Sequence, residues 1–536
     1  MPSTADVIAQ KLFDAGCRHA FGIPGGEVLT IMDALLRVGI TFTLAKHENA
    51  AGFMAEGVHH ATGAPTILLA TVGPGIANAV NVIANAHQDR VPLVVLTGCV
   101  DEGDSISYTH QVLDHQALLR PITKGTFRAV ADGSDIIVDK ALSITSDGRP
   151  GPVHIDIPIS VAKQTHRPIK PHMRGPPTRS RPAEDATLQQ ARHLFRSSQE
   201  PVIVAGVDVI NERGAASLLR TFAERHHVPV LTTYKAKGVL PEDHPLCLGG
   251  HGLSPLADKY VLPYLRASDC ILSVGYDPIE MRIGWRDPWA PDKAIEFAAE
   301  VNCHDMHHAQ HAWRCGIADG LAALDLGLTP RSTGPSARAV QLRADLKEAF
   351  SARGDWGPDI AFDVLRKAVP RDAVATADSG AHRILLSQQW ECYRERGLLQ
   401  SSALCTMGCA LPLAAGYKFA APDTPVLAVM GDAGLEMVAG ELATLRDLKL
   451  PVIICVMVDR SLTLIEMKQR GSQLPNVGVD FGATDFVAVA RAFGGHGASV
   501  ADPTSLRREV AAALKRTDVF TLLAIEIGTR AYEGRF

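Results

Sequence analysis

The feature that most constrains this chain is a rhythm. Short apolar runs of strand length, most of them closed by a Gly- or Asp-containing turn, alternate with longer amphipathic stretches along its length. Parallel α/β layers produce this pattern, because a parallel strand is buried on both faces and needs a crossover helix to reach its neighbour. The runs fall into three sets. Ala64–Thr71, Pro92–Thr97 and Gly151–Pro158 form the first; Pro201–Gly206, Val228–Thr233 and Cys270–Gly275 form the second. The third holds Ala373–Asp378, Pro425–Asp432, Pro451–Asp459 and Leu522–Glu526. Between them, 163–182 turns basic and proline-rich, and 330–337 is rich in Pro, Ser, Gly and Arg, as linkers are. A chain of 536 residues exceeds one hydrophobic core. The expectation is therefore α/β throughout: three doubly wound parallel-sheet domains over 1–165, 183–330 and 355–536. The first and third share the same strand–helix rhythm.

Composition narrows the function classes. A net charge of −5 gives no basic surface for nucleic acid. The apolar runs are far short of the roughly 20 residues that span a membrane. The opening Met-Pro-Ser-Thr-Ala-Asp reads as a helix cap, not a signal peptide. Ten cysteines are scattered, and Cys270, Cys409 and Cys455 sit inside apolar runs, which suits reduced thiols in the cytoplasm.

The third domain carries the most chemistry. Gly431-Asp432-Ala433-Gly434 follows an apolar strand directly, and the next strand ends in Asp459-Arg460-Ser461. Carboxylates at the carboxyl ends of two parallel strands stand where such sheets bind ligands. They suit Mg²⁺, which takes a few hard oxygens and completes its shell with phosphate and water. The plain alternative is a strand-to-helix turn with an N-cap.

This arrangement resembles the diphosphate- and metal-binding motif of thiamine-diphosphate enzymes, with two departures: Ala433 replaces a usual Gly, and Asp459 stands where Asn is common. A methyl group at Ala433 limits the backbone angles of the turn. The first domain adds Phe21-Gly-Ile-Pro-Gly25-Gly, Ala45-Lys-His-Glu48-Asn and Thr71-Val-Gly-Pro74-Gly-Ile-Ala-Asn78, similar to the pyrimidine-binding domain of the same superfamily. The resemblance implies that Glu48 activates the cofactor by hydrogen bonding to its aminopyrimidine, with Gly25, Pro74 and Asn78 nearby. As a structural residue, Glu48 is a carboxylate at a helix start. Ala403-Leu-Cys405-Thr-Met407 resembles the segment that bends the cofactor, and Asp378-Ser-Gly380-Ala381-His382 the diphosphate-contacting loop. Gly431, Asp432, Ala433, Gly434 and Ser461 complete the implied cofactor contacts, with Asp432 and Asp459 as Mg²⁺ ligands. The family shares each site between two subunits, so a homodimer or homotetramer follows.

Within the superfamily, Thr109-His-Gln111-Val-Leu-Asp-His, Val274-Gly-Tyr-Asp-Pro-Ile-Glu280 and Val479-Asp-Phe-Gly are similar to the FAD-free, catabolic acetolactate synthases. That implies decarboxylation of a 2-oxo acid and ligation to a carbonyl acceptor, two pyruvates giving 2-acetolactate. Gln111 then lies near cofactor or substrate, and FAD is not expected. Rival readings are a decarboxylase or aldehyde lyase on a larger substrate, and a non-catalytic paralogue acting as a subunit. Val80-Asn-Val-Ile-Ala-Asn is also similar to benzaldehyde lyase, and Val58-His59-His60 replaces a usual Tyr-Ala-Arg. The chain stops soon after its last strand, from which a more open site is expected. Cys303, His304, His307, His308, His311 and Cys315 have spacings that would align His304 with His308, and His307 with His311, on a helix, as zinc sites can. Adventitious binding or none is the expectation there. Arg282 and Arg286, just past the Tyr276 strand end, are candidates to meet a substrate carboxylate, with surface arginines as the default reading.

Overall fold

The computed structural model describes residues 1–166, 180–279, 281–300 and 307–536. Three six-stranded sheets run in sequence, and every pairing in them is parallel. The first contains β1 (His19–Gly22), β2 (Thr41–Leu44), β3 (Thr66–Ala70), β4 (Leu93–Cys99), β5 (Gly125–Arg128) and β6 (Val153–Pro158), ordered β2-β1-β3-β4-β6-β5. The second contains β7 (Pro201–Ala205), β8 (Val230–Thr232), β9 (Cys247–Gly250), β10 (Cys270–Val274), β11 (Ala294–Ala298) and β12 (His311–Arg314), ordered β12-β11-β10-β7-β8-β9. The third contains β13 (Val374–Ala377), β14 (Leu398–Gln400), β15 (Val426–Gly431), β16 (Ile453–Val458), β17 (His496–Val500) and β18 (Thr521–Glu526). Its order, β14-β13-β15-β16-β18-β17, repeats that of the first. The shared rhythm of the two domains is thus a shared topology.

Central strands are buried at almost every position, as a sheet covered by helices on both faces requires. The opening segment does cap a helix: Ser3 Oγ accepts from Asp6 N–H at the start of Thr4–Asp14, and the Asp6 carboxylate accepts from Ser3 N–H in return. No helix among the described residues is long and apolar enough to cross a membrane. The nine described cysteines are free, and all but Cys405 are buried.

Two packing arrangements position the functional ends of the sheets. The helix Glu48–Thr62 lies along Ala410–Ala420 of the third domain, joining the two into one apolar core. Contact is close because both helices present glycine: a Cβ on Gly416 would stand 1.9 Å from the Met54 carbonyl oxygen. A second core runs from the central sheet into the third domain through Trp285, Tyr276, Phe362 and Trp390. The third domain is therefore clamped by both of the others.

Candidate active site

Asp432 opens the helix Asp432–Val438 at the end of β15, and Asp459 follows β16. Both are buried. Asp432 is held by backbone donors: Ala433 N–H and Arg460 N–H donate to it at 2.9 and 2.7 Å, and Asp459 N–H at 3.2 Å. Asp459 accepts from the Thr463 hydroxyl at 2.6 Å and from Ser461 N–H at 3.3 Å. Burial raises Asp432 above the ordinary carboxylate range, against the pull of its backbone donors. Burial, reinforced by the neighbouring Asp432 charge, pushes Asp459 up to about 7. Two carboxylates that disfavour each other's charge in a desolvated place are what a divalent cation relieves. Ala433 has an ordinary negative φ in the first helical turn, so its methyl group places no strain on the backbone. The expected limit on the turn is corrected: the small residue that the geometry demands is Gly434. A Cβ there would lie 2.0 Å from Asp378 Oδ2.

Asp378, which the sequence places only within a loop, is the residue about which this wall is built. It is fully buried and accepts from Gly408 N–H and Cys409 N–H, both at 2.9 Å. Burial pushes it up to about 6. It thereby ties the Asp378–His382 loop, the Cys405–Met407 segment and the Asp432 helix into one unit.

That unit lines a cavity of about 670 Å³. Its walls include Gly380, Ala381, His382, Cys405, Met407, Gly431, Asp432, Ala433, Gly434, Asp459 and Ser461, which brings together every cofactor contact implied for the third domain. The helices Ala381–Gln389 and Thr463–Gly471 begin at this wall, where free N–H groups favour anions. Buried polar atoms without a partner stand here too: Ser379 Oγ, His382 Nε2 and the Tyr532 hydroxyl. Burial, with Arg383 beside it, lowers His382 to about 4 and leaves a neutral imidazole. Oxygen ligands for a cation, helix starts and unspent polar atoms make a donor set suited to a diphosphate with a divalent metal. Arg282 lines the cavity while its side chain remains partly exposed, and Arg286 is exposed. Tyr532 and Phe536, from the segment after β18, also form part of the wall.

The first-sheet residues gather at the corresponding strand ends. Glu48 is buried in the first turn of its helix and accepts from Asn78 Nδ2 at 3.0 Å. Pro74 and Gly75 open the short helix that carries Asn78, and a Cβ added at Gly75 would stand 3.5 Å from Glu48 Oε1. Gly25 passes so close to Thr71 that a Cβ would stand 2.3 Å from its hydroxyl. Gln111 is exposed, with φ of 59°, against Gly73, and lines a separate polar cavity of about 330 Å³ with His115, Arg128 and Asp156. His115 Nε2 accepts from Gly73 N–H at 3.2 Å and Nδ1 meets Asp156 at 2.8 Å, fixing this loop. Glu441, at the start of a third-domain helix, accepts from Lys46 and His47 N–H just before Glu48. Among the described residues, none from the first domain lines the Asp432 cavity.

Among the described residues, His307 and His311 do not form the helical ligand pair their spacing suggested. Cys303, His304 and Glu280 lie outside the described residues. Residues 307–310 form no helix, and His311 begins β12 in register with Ile295. His307 instead meets Glu296 at 2.6 Å beneath Tyr276 and Trp289.

Comparison with known proteins adds an independent line. Residues 2–118 match the description "Thiamine pyrophosphate enzyme, N-terminal TPP binding domain", residues 188–321 its central domain, and residues 378–525 its C-terminal TPP binding domain. The chain is 30% identical over 519 residues to an acetolactate synthase of Bacillus subtilis (strain 168), covering 94% of this chain and 89% of that one. It is 31% identical to the acetolactate synthase isozyme 1 large subunit of Escherichia coli (strain K12), covering 91% and 88%. With the acetolactate synthase large subunit of Parasynechococcus marenigrum (strain WH8102) it shares 31% identity, covering 95% and 85%.

Proposed function

Because the chain belongs to the thiamine pyrophosphate (thiamine diphosphate) enzymes, as an acetolactate synthase-like member, we propose that it decarboxylates a 2-oxo acid and joins the remaining unit to a second carbonyl, two pyruvates giving 2-acetolactate and CO₂. One observation carries this reading. Asp432 and Asp459 converge at adjacent strand ends, in a cavity with mostly apolar walls that also holds Arg282.

When bound, thiamine diphosphate supplies the electron sink for the reaction. The chain's residues provide binding, orientation and a dry site. Asp432 and Asp459, with Ser461 beside them, would hold Mg²⁺; Gly431–Gly434 and Gly380–His382 would receive the diphosphate. The unpartnered Ser379 and His382 atoms support that fit. Met407 and Cys405 would support the rings from the wall. Glu48 would hold a proton toward the pyrimidine while Asn78 fixes its carboxyl, with Gly25 and Pro74 shaping the pocket around it. Arg282 would attract the carboxylate of the 2-oxo acid, and Gln111 would orient the carbonyl acceptor.

Among the described residues of one chain, none from the first domain, Glu48 included, lines the Asp432 cavity. This supports a site completed between two copies, in a homodimer or homotetramer. Free cysteines among the described residues, buried except for Cys405, suit the cytoplasm. No step requires FAD.

The test incubates purified protein with pyruvate, thiamine diphosphate and Mg²⁺, with and without FAD, and identifies products. Acetolactate without added FAD is expected. Acetaldehyde would instead establish a decarboxylase, and absence of cofactor binding a non-catalytic subunit.

A further inference from the structure

After β18 the chain turns back on itself, with Gly528 and Arg530 both at positive φ, 78° and 58°. Three contacts fix the end of β18 and the returning segment to the third domain. Trp356 Nε1–H donates to the Glu526 carbonyl at 2.7 Å, Arg470 pairs with Glu533 at 2.8 Å, and Arg535 pairs with the buried Asp359. Tyr532 is thereby driven inward until its side chain is 1% exposed. Its ring rests near Phe536, with centroids 6.4 Å apart, and both residues line the Asp432 cavity.

The ring's burial is ordinary hydrophobic packing, but its hydroxyl is not accounted for. That oxygen is buried without a hydrogen-bond partner. Asp459 and Asp432 lie near enough to act on it electrostatically. A phenylalanine would fill the same space without the cost of an unpaired polar group. A buried tyrosine hydroxyl normally finds a partner, and the cavity beside the two carboxylates is the side from which one can arrive.

We propose that the Tyr532 hydroxyl is a further contact of the metal–diphosphate group, hydrogen-bonding a phosphate oxygen or a metal-bound water. The returning segment thereby becomes part of the cofactor site. This rests on the reading that Asp432 and Asp459 hold Mg²⁺ with thiamine diphosphate. A phenol serves either partner, donating to a phosphate oxygen or accepting from a coordinated water. The segment's clamps hold the hydroxyl in place before the group arrives, so little ordering remains to oppose binding.

The test compares the full-length protein with Tyr532→Phe. Each is stripped with chelator and then titrated with thiamine diphosphate at fixed Mg²⁺, using calorimetry and intrinsic fluorescence. Unfolding midpoints are measured for both forms, with and without cofactor. Tyr532→Phe is expected to leave the stripped midpoint unchanged or raise it, because the unpaired hydroxyl has gone. It should also weaken Mg²⁺-dependent cofactor affinity about tenfold, the scale of one hydrogen bond to a charged group. A lower stripped midpoint with unchanged affinity would overturn the proposal, assigning the hydroxyl a purely internal partner. If wild-type protein binds no cofactor, it is the reading of Asp432 and Asp459 that fails. Arg535→Ala, which releases the clamp and keeps the phenol, should also weaken affinity; unchanged affinity there would count against the segment's part in the site.

Discussion

Gly434→Ala tests the idea that Asp378 is the knot of the cofactor site. The added Cβ would stand 2.0 Å from Asp378 Oδ2 and 3.2 Å from its Cγ, where ordinary contact begins at 3.4 Å. The helix start has little room to move, because Asp432 in the same turn is held by three backbone donors. Asp378 must therefore retreat by more than an ångström. A shift of that size removes the 2.9 Å bonds from Gly408 and Cys409 and leaves two buried N–H groups unpaired. At about 1.5–3 kcal/mol for each bond to a charged acceptor, the loss is about 3–6 kcal/mol. Gly408 has φ of 81° and carries the loop that places Met407 on the cavity wall, so cofactor binding should weaken as well. Ala433→Gly is the control. It relieves no clash and costs only a helix propensity difference of about 1 kcal/mol. Urea unfolding followed by far-ultraviolet circular dichroism, with cofactor titration alongside, separates the two variants. A Gly434→Ala protein within about 1 kcal/mol of wild type and with normal cofactor binding would refute this account of Asp378.

Three further outcomes follow from the geometry. Glu48→Gln should keep the fold and cofactor binding, because an amide still accepts from Asn78, while turnover falls by about 10²–10⁴; steady-state kinetics beside a binding titration checks this. Arg282→Ala should raise KM for a 2-oxo acid about tenfold without changing cofactor affinity, as expected for loss of a partly exposed carboxylate contact. Glu56 is buried and pushed up to about 7 from an ordinary 4.5, so the folded state favours its protonated form. Its contribution is complete below pH about 4.5, declines as pH rises towards about 7 and is flat above. Glu56→Gln should therefore gain on wild type by about 2–3 kcal/mol between pH 5 and pH 8 in urea unfolding; a constant difference would count against it.

Much of this was legible in the sequence, and the omissions have physical causes. The central strands announced themselves as unbroken apolar runs because both faces of β4, β15 and β16 are buried. Edge strands escaped. In Thr41–Leu44 only Thr43 is buried, and Gly125–Arg128 is half-buried throughout, so neither carries an apolar signature. In β11 the pattern is broken by Glu296, which is tolerated inside because His307 meets it. That same pairing helps explain the histidine segment: its four-residue spacing fits a helix, but parallel register with β11 makes His311 the start of a strand. At the candidate site, Asp432 and Asp459 could be picked out because a carboxylate at the end of a buried strand is a local feature of the chain. The roles proposed for Asp378 and Tyr532 depend on where distant segments close over them, and no spacing along the chain encodes that closure. The contrast between Ala433 and Gly434 sharpens the point. The motif draws attention to the residue that departs from it, yet the steric demand falls on the next one, imposed by a carboxylate from another strand end. Motif matching therefore locates the site, while the tolerance of each position within it is decided by side chains that the motif does not contain.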